Sequence, residues 1–229
     1  MKIFGISDLH LSFMVNKPMD IFYGWENHTE RIKANWTRLV ENEDIVVLPG
    51  DFSWALKLGE ALEDFRFLDS LPGKKLLIKG NHDLWWSTAK KIKEFFIENK
   101  IETIDIVYNS MYKVGEYAIC GSRGWLFEKQ DDKTIAKREA GRLKTSIENA
   151  ISQGLIPIVF MHYPPVYAEQ VTEPIIEVLK EYGIEKVFHG HIHGSGMHSY
   201  IKEFDGISFK LLSCDCIDFT PYFIQDVEK

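Results

Sequence analysis

Five short segments of the chain carry histidine, aspartate and asparagine side chains at spacings that suit metal binding. They are Asp8-Leu9-His10, Gly50-Asp51, Gly80-Asn81-His82-Asp83, His162 and Gly190-His191-Ile192-His193-Gly194. The donor atoms are nitrogen and oxygen without a thiolate, a set that suits Mn, Fe, Zn or Co better than Ca or Mg. Seven side chains are candidate ligands, too many for one tetrahedral ion: Asp8, His10, Asp51, Asn81, His162, His191 and His193. The set therefore predicts two ions about 3.5–4 Å apart that share a carboxylate and a water, as in hydrolytic two-metal sites.

Each of these segments follows a stretch with the pattern of a buried β-strand. The strands are predicted over Lys2–Ile6, Ile45–Leu48, Lys75–Lys79, Leu155–Phe160 and Lys186–His189. In α/β sheets the loops at the carboxyl ends of the strands converge and bind ligands. Glycines beside the polar residues allow the sharp turns that this convergence needs. The five segments are therefore expected to form one site.

Helical patterns and two hairpins fill the rest of the chain. Helices are predicted over Glu26–Glu41, Lys57–Ser70, Ser87–Lys100, Asp131–Gln153 and Val171–Tyr182. The hairpins are predicted over Met111–Val114 with Tyr117–Cys120, and over His198–Phe204 with Ile207–Leu212. Parallel-type strands, crossover helices and antiparallel pieces together predict an α/β sandwich. Because no linker, repeat or low-complexity stretch divides the chain, we expect a single domain over residues 1–229.

The composition is that of a folded globular protein. The chain has 229 residues, of which 45% are hydrophobic and 13% aromatic, and this excludes a disordered protein. A formal charge of −7 disfavours binding along a nucleic-acid backbone. Cys120, Cys214 and Cys216 cannot form a disulfide framework, so we expect reduced thiols. The first apolar run is too short for a signal peptide and none reaches the roughly 18 residues of a membrane span, which predicts a cytoplasmic protein.

In this order, the five segments resemble the motifs of the calcineurin-like metallophosphoesterase superfamily. The order is Asp-x-His, Gly-Asp, Gly-Asn-His-Asp, His and Gly-His-x-His, and it runs from residue 8 to residue 193. One such motif alone is weak evidence, because Asp and Asn often form turns or cap helices. The resemblance implies a four-layer αββα sandwich of two mixed sheets, with a dinuclear metal centre at the strand ends.

The resemblance also implies roles for individual residues. Asp8, His10 and His193 would hold one ion, and Asn81, His162 and His191 the other, with Asp51 bridging the two. A metal-bridging hydroxide would attack phosphorus, its pKa lowered by both ions, and Mn is the ion expected to serve best in vitro. His82 would assist the leaving group from outside the metal shell. Asp83 would orient the His82 imidazole.

Differences from the motifs of other members of the superfamily narrow the range of possible substrates. Serine/threonine protein phosphatases carry Gly-Asp-x-x-Asp-Arg-Gly and Gly-Asn-His-Glu, whereas this chain has Gly50-Asp51-Phe52-Ser53-Trp54 and ends its third motif in Asp83. A protein phosphatase is therefore disfavoured, and the chain is most similar to small bacterial metallophosphoesterases. We expect it to hydrolyse a phosphomonoester or a phosphodiester of a small molecule.

Two alternatives stay open at this point. A nuclease acting on nucleic-acid ends would need a groove lined with Arg and Lys, and its rate would fall steeply with salt. A non-catalytic scaffold of the same fold has little physical reason to keep the seven ligands and His82, because unpaired buried carboxylates and imidazoles destabilise a protein that lacks metal.

Other residues have a possible functional role and also a simpler structural interpretation. Arg123, in Gly121-Ser122-Arg123-Gly124, follows a predicted strand and could clamp a phosphate oxygen, or it could be a surface arginine. The apolar segment Ser12–Trp25 has the composition of a lid or a substrate wall, or of a packed part of the core. We expect His189 and His198 to be packed strand residues.

Overall fold

Thirteen strands form the frame of the described part of the chain. The computed structural model describes residues 1–126 and 132–228. In chain order the strands are β1 (Lys2–Gly5), β2 (Ile45–Pro49), β3 (Lys74–Ile78), β4 (Ile104–Ile106), β5 (Tyr112–Val114), β6 (Tyr117–Ser122), β7 (Ile156–Met161), β8 (Val166–Tyr167), β9 (Gln170–Val171), β10 (Lys186–His189), β11 (Glu203–Phe204), β12 (Ile207–Leu211) and β13 (Tyr222–Asp226).

Five α-helices of the described residues connect these strands. They are α1 (His28–Leu39), α2 (Leu62–Asp69), α3 (Ala89–Glu98), α4 (Asp132–Ile151) and α5 (Glu173–Glu181). Short 3-10 helices cover Leu58–Ala61, Gly194–Ser199 and Cys214–Ile217. Among the described helices, none is long and apolar enough to cross a bilayer.

Eleven of these strands form two large mixed sheets, and β8 and β9 pair with each other as a small antiparallel sheet. The first has the order β13-β1-β2-β3-β4, parallel from β1 to β4 with β13 antiparallel at its edge. The second has the order β11-β12-β10-β7-β6-β5, parallel in its centre with β11 and β5 antiparallel at its edges. Since parallel strands end on the same side, each sheet gathers the loops after its central strands at one edge.

The two sheets pack face to face through alternate side chains. Ile3 of β1 and Val47 of β2 belong to one buried cluster with Phe160 and Phe188 of the second sheet. Their neighbour Phe4 faces the other way, into a separate cluster. This alternation is the period-two pattern of a strand, and the cluster between the sheets consists of strand residues and of residues that directly follow strands.

Helices cover the outer face of each sheet. Trp36 of α1 and Phe65 of α2 pack on the outer side of the first sheet. Leu143 of α4 and Leu179 of α5 pack with Val159 on the outer side of the second. The order of layers is therefore helix, sheet, sheet, helix, which confirms the αββα sandwich.

Some predicted elements differ from the structure. The helix predicted over Lys57–Ser70 is a 3-10 helix followed by α2, and the predicted start of the next long helix at Asp131 lies outside the described residues. The strand predicted over His198–Phe204 is wrong in its first half, because Gly194 has a left-handed φ of 51° and the chain enters a 3-10 helix. The region of Cys214 and Cys216 is also a 3-10 helix, and all three cysteines are free.

Candidate metal centre

The carboxyl edges of the two sheets meet where the predicted ligands lie. After β1, Ser7 N donates to Leu212 O at 2.9 Å, and Cys214 N donates to Ser7 O at 3.1 Å, which joins the two sheets. Asp8 N donates to Gly50 O at 3.0 Å, which joins the loops after β1 and β2. Backbone hydrogen bonds therefore bring the ligand-bearing loops together.

Asp8, His10 and His193 form the first of two groups of candidate ligands. One ligand atom from each lies within 4.8 Å of the others. His193 Nε2 is 3.2 Å from Asp8 Oδ1 and 3.3 Å from His10 Nε2. Asp8 is completely buried and His10 nearly so. Three converging donor atoms, two of them from buried residues, fit a divalent cation.

Asp51, His162 and His191 form the second group, with the same spacing of ligand atoms. His162 Nε2 is 3.5 Å from Asp51 Oδ2 and 2.6 Å from Asn81 Oδ1, so Asn81 belongs with this group. The two groups adjoin, because His191 N donates to both carboxylate oxygens of Asp8 at 3.1 Å. The structure thus brings all seven predicted ligands together.

Hydrogen bonds fix which nitrogen each of two histidines presents. His162 Nδ1 is 3.1 Å from Pro49 O, and His193 Nδ1 is 3.0 Å from Asp215 Oδ1. A carbonyl or carboxylate oxygen can only accept, so each Nδ1 carries a proton, and Nε2 points to the ligand group. This arrangement orients imidazoles for metal binding.

Asp215 is a residue of the site that sequence reasoning missed. Besides accepting from His193, it accepts from Gly194 N at 2.9 Å through Oδ2. It lies in the 3-10 helix after β12, outside the five motif segments, and only the folded chain brings it to His193. Ser7, the residue before Asp8, and Ser213, from the segment after β12, were also missed, and their hydroxyls both donate to Asp8 Oδ2.

Replacing Asp215 with asparagine is expected to weaken metal binding about 10–100-fold, because the variant keeps the shape but loses the charge that holds the His193 imidazole. Metal titration of the purified variant measures this. Asp218→Asn, three residues further on with a side chain 87% exposed, is the matched control and should bind metal normally. Equal weakening in both variants would contradict the assigned role.

The electrostatics of the two groups are those of a crowded anionic site. Burial raises the pKa of Asp51 to about 8, and the charge of Asp8 adds to this effect. Burial also acts to raise the pKa of Asp8, but the His193 imidazole together with His162 and His10 outweighs it and holds that pKa below its ordinary range. Burial opposes protonation of His193, yet Asp8 and Asp215 raise its pKa to about 10. A bound cation would replace these protons, so metal binding should release protons.

Four of the seven candidate ligands have a left-handed backbone. The φ angles are 59° at Asp8, 48° at His10, 52° at Asp51 and 74° at His191. Residues other than glycine rarely adopt this conformation, and it concentrates at functional sites where the surrounding structure enforces it.

Glycine is required where the backbone approaches the ligand side chains. A Cβ at Gly80 would overlap the Asp51 carboxylate, and a Cβ at Gly190 would overlap the Ser7 hydroxyl and the Asp8 carboxylate. The motif glycines therefore make room for the ligands as well as for the turns.

Asp83 has different partners from the one predicted. Its carboxylate accepts from five N–H groups, at distances between 2.7 and 3.3 Å: the backbone N–H of Gly80, Asp51, Phe52 and Ser53, and Trp85 Nε1. The predicted bond to the His82 imidazole is not among the hydrogen bonds of the described residues. Asp83 instead ties the loop after β2 to the loop after β3.

His82 lies beside the ligand groups without belonging to either. Its backbone N–H donates to Asp51 Oδ1 at 2.8 Å, and its half-buried ring lies 4.3 Å from the Trp54 ring and 5.7 Å from the His10 ring, between centroids. Burial lowers the pKa of His82, so the imidazole is mostly neutral at pH 7.

A cavity of about 730 Å³ opens over both groups. Its apolar wall comes largely from the segment Ser12–Trp25, in which Met19 and Trp25 are buried while Phe22 and Tyr23 are exposed. The segment is thus part core and part cavity wall. His198 also lines the cavity, from the 3-10 helix that replaces its predicted strand.

Arg123 does not line this cavity. It lines a second one, with Lys79, Arg138 and Arg142. The prediction that Arg123 clamps a phosphate over the metal ligands finds no support in this arrangement. His189, by contrast, is a buried strand residue as expected, with Nδ1 3.1 Å from Gly190 O.

The fold and the site define a class of protein, and comparison with known families agrees. The model of the calcineurin-like phosphoesterase family matches residues 1–195, so the chain belongs to this family. Family and ligand groups together make it a metal-dependent phosphoesterase. A search of curated protein sequences finds no match to the chain.

Solved structures show the same fold at low sequence identity. The chain is similar to AQ665 from Aquifex aeolicus, with 18% identity, a TM-score of 0.52, and coverage of 97% of this chain and 95% of that one. It is also similar to TT1561 of Thermus thermophilus, with 14% identity, a TM-score of 0.54, and coverage of 83% and 81%. At these identities the similarity concerns the fold alone.

Proposed function

We propose that the chain hydrolyses a phosphomonoester or phosphodiester of a small molecule with the help of two divalent ions. The observation that carries the proposal is the pair of adjoining ligand groups at the floor of one cavity. Asp8, His10 and His193 would hold one ion. Asn81, His162 and His191 would hold the other, and Asp51 would serve both.

The donor set fits such ions. All seven side chains offer nitrogen or oxygen atoms, which suits Mn, Fe, Zn or Co. When bound, a pair of such ions supplies an activated water and offsets negative charge on the phosphoryl oxygens. Asp51 has a pKa of about 8 because it is buried beside Asp8. Its ionised form is therefore strongly destabilised without a cation, and a pair of bound cations would stabilise it.

His82 is the residue we assign to the leaving group. It lines the cavity and stands outside both ligand groups, so its ring nitrogens are not needed as ligands. A mostly neutral imidazole has one N–H to donate, and a leaving oxygen needs a proton or a hydrogen bond as the ester bond breaks. The Trp54 ring packs against the imidazole and limits its movement.

The cavity wall supports a small organic substrate. Met19, Phe22, Tyr23, Trp25 and Trp54 surround the ligand groups, and none of the described residues that line the cavity is a lysine or an arginine. A polynucleotide backbone would need such cations. A volume of about 730 Å³ falls in the range of small-molecule sites, and aromatic walls suit an ester with an apolar or aromatic group.

Hydrolysis of bis-p-nitrophenyl phosphate and of p-nitrophenyl phosphate tests the proposal. We expect turnover with Mn that disappears in chelator and returns when metal is added back, and the ratio of the two rates shows the preference for diester or monoester. Zn and Mg serve as comparison ions. Protein that binds two ions per chain and hydrolyses neither ester would contradict the proposal for this substrate class and favour a scaffold.

A further inference from the structure

A second cavity of about 420 Å³ is lined in part by Lys79, the residue before the Gly80–Asp83 loop, and it is strongly cationic. It is formed by the end of β3, the residues before α3, the end of β6 and one face of α4. Among the described residues, four cationic side chains line it against a single carboxylate, that of Glu139: Lys79, Arg123, Arg138 and Arg142. None of the described residues lines both cavities.

Glu139 balances only part of this charge. Its buried Oε1 accepts from Arg142 Nη1 at 2.6 Å and lies 4.0 Å from Arg138 Nε. One negative charge is thus set against four positive ones, on a chain whose formal charge is −7. A concentration of positive charge in a concave site of an acidic protein attracts small anions.

Two N–H donors in the wall have no acceptor within the described part of the chain. They are Trp86 Nε1 and Arg123 Nε, and both atoms are buried. A buried donor without an acceptor costs stability, and a ligand oxygen would remove that cost. The Arg123 guanidinium is also held in place, because its central carbon lies 4.7 Å from the centre of the Trp125 ring. The cavity therefore offers positioned donors as well as charge.

We propose that this cavity binds an anion that carries two phosphoryl groups, either pyrophosphate or a diphosphate ester. A single phosphate carries about −1.5 to −2 charges at neutral pH. The excess of three positive charges in the lining matches two phosphoryl groups better than one. Arginines bind phosphate oxygens through paired N–H donors, and the volume suits a ligand of this size.

Calorimetric titration of the full chain with pyrophosphate in chelator tests the inference. Without metal, pyrophosphate has no ions to bind in the first cavity, so the result does not depend on the proposed phosphoesterase activity. We expect one site per chain. Arg142→Gln and Arg138→Gln should each weaken binding about tenfold, because a charge-assisted hydrogen bond is lost.

Arg66→Gln is the matched control. Arg66 pairs with Glu63 one helical turn earlier at 2.7 Å, as Arg142 pairs with Glu139 at 2.6 Å, but it lies on α2 outside the cavity. The Arg66→Gln protein should bind pyrophosphate as tightly as the wild-type protein. Arg138, with a side chain 57% exposed, can be replaced without disturbing the core, so Arg138→Gln keeps the test valid if Arg142→Gln does not fold.

Several results would overturn the inference. They are absence of binding at millimolar pyrophosphate, unchanged affinity in both cavity variants, and equal weakening in Arg66→Gln. Orthophosphate binding as tightly as pyrophosphate would refute the assignment of two phosphoryl groups. A parallel titration with ADP distinguishes the two ligands that we propose. Tighter binding of ADP than of pyrophosphate supports a diphosphate ester, and tighter binding of pyrophosphate supports the free anion.

Discussion

Replacing Asp51 with asparagine is expected to remove both metal ions together and to lower turnover at least about 10³-fold. Asp51 lies in the second ligand group, and burial beside Asp8 makes it the carboxylate most in need of a counter-charge. A bound ion contributes several kcal/mol to the stabilisation of transition-state charge, and about 1.4 kcal/mol corresponds to a tenfold change in rate. Loss of the ligand that we propose the two ions share should therefore affect both ions.

Metal content per chain and turnover of the nitrophenyl esters measure this prediction. Asp64→Asn is the control, because Asp64 is an equally buried carboxylate that accepts from Phe13 N at 2.9 Å and lies outside both ligand groups. It should keep both ions even if the protein is less stable. An Asp51→Asn protein that loses only one ion would show that Asp51 does not bridge.

Replacing His82 with alanine is expected to lower turnover about 10²-fold or more while both ions stay bound. The imidazole lies in the cavity outside the ligand groups, so its removal takes away a proton donor and leaves the metal ligands in place. The backbone N–H that donates to Asp51 is kept in the variant. Steady-state rates and metal content are measured on the same preparation.

His198→Ala is the matched control for His82→Ala, since His198 is an exposed histidine that lines the same cavity. We expect it to change turnover less than tenfold. A drop in metal content in His82→Ala would show that His82 is a ligand. Equal loss of turnover in both variants would point to the shape of the cavity and away from proton donation.

The metal ligands could be predicted from the sequence because each follows a strand within a few residues. Short-range patterns locate strands, and the rule that parallel strands end at one edge brings Asp8 to Asn81 in the first sheet and His162 to His191 in the second, without any knowledge of the loops. Asp215 also lies just beyond a strand, β12, which pairs parallel with the β10 strand that precedes His193. It was missed because the segment of β12 was predicted only as one strand of a hairpin.

The parts of the fold that sequence reasoning missed are short or lie at sheet edges. Strand β4 has three residues, and β13 is an edge strand with no fully buried side chain. β4 is too short for a period of two to stand out, and β13 has no buried face to mark it, so pairing with β3 and β1 decides their conformation. The error over His198 has the same origin, since glycine and a tertiary contact to Asp215 override the strand pattern.

The role predicted for Asp83 failed for a simpler reason. Residues adjacent in sequence point in different directions, so position next to His82 carried no information about contact with its imidazole. The two carboxylate oxygens instead accept hydrogen bonds from five buried N–H groups, which belong to two loops and a tryptophan.

The hydrogen bonds of the Asp83 carboxylate have a consequence for how the protein acquires its ions. Because Asp83 fastens the loops of Asp51 and Asn81 to each other with protein hydrogen bonds alone, the framework of the site does not need an ion to assemble. Newly made chains can fold first and load afterwards. We therefore expect that one transition metal can be exchanged for another without refolding of the protein.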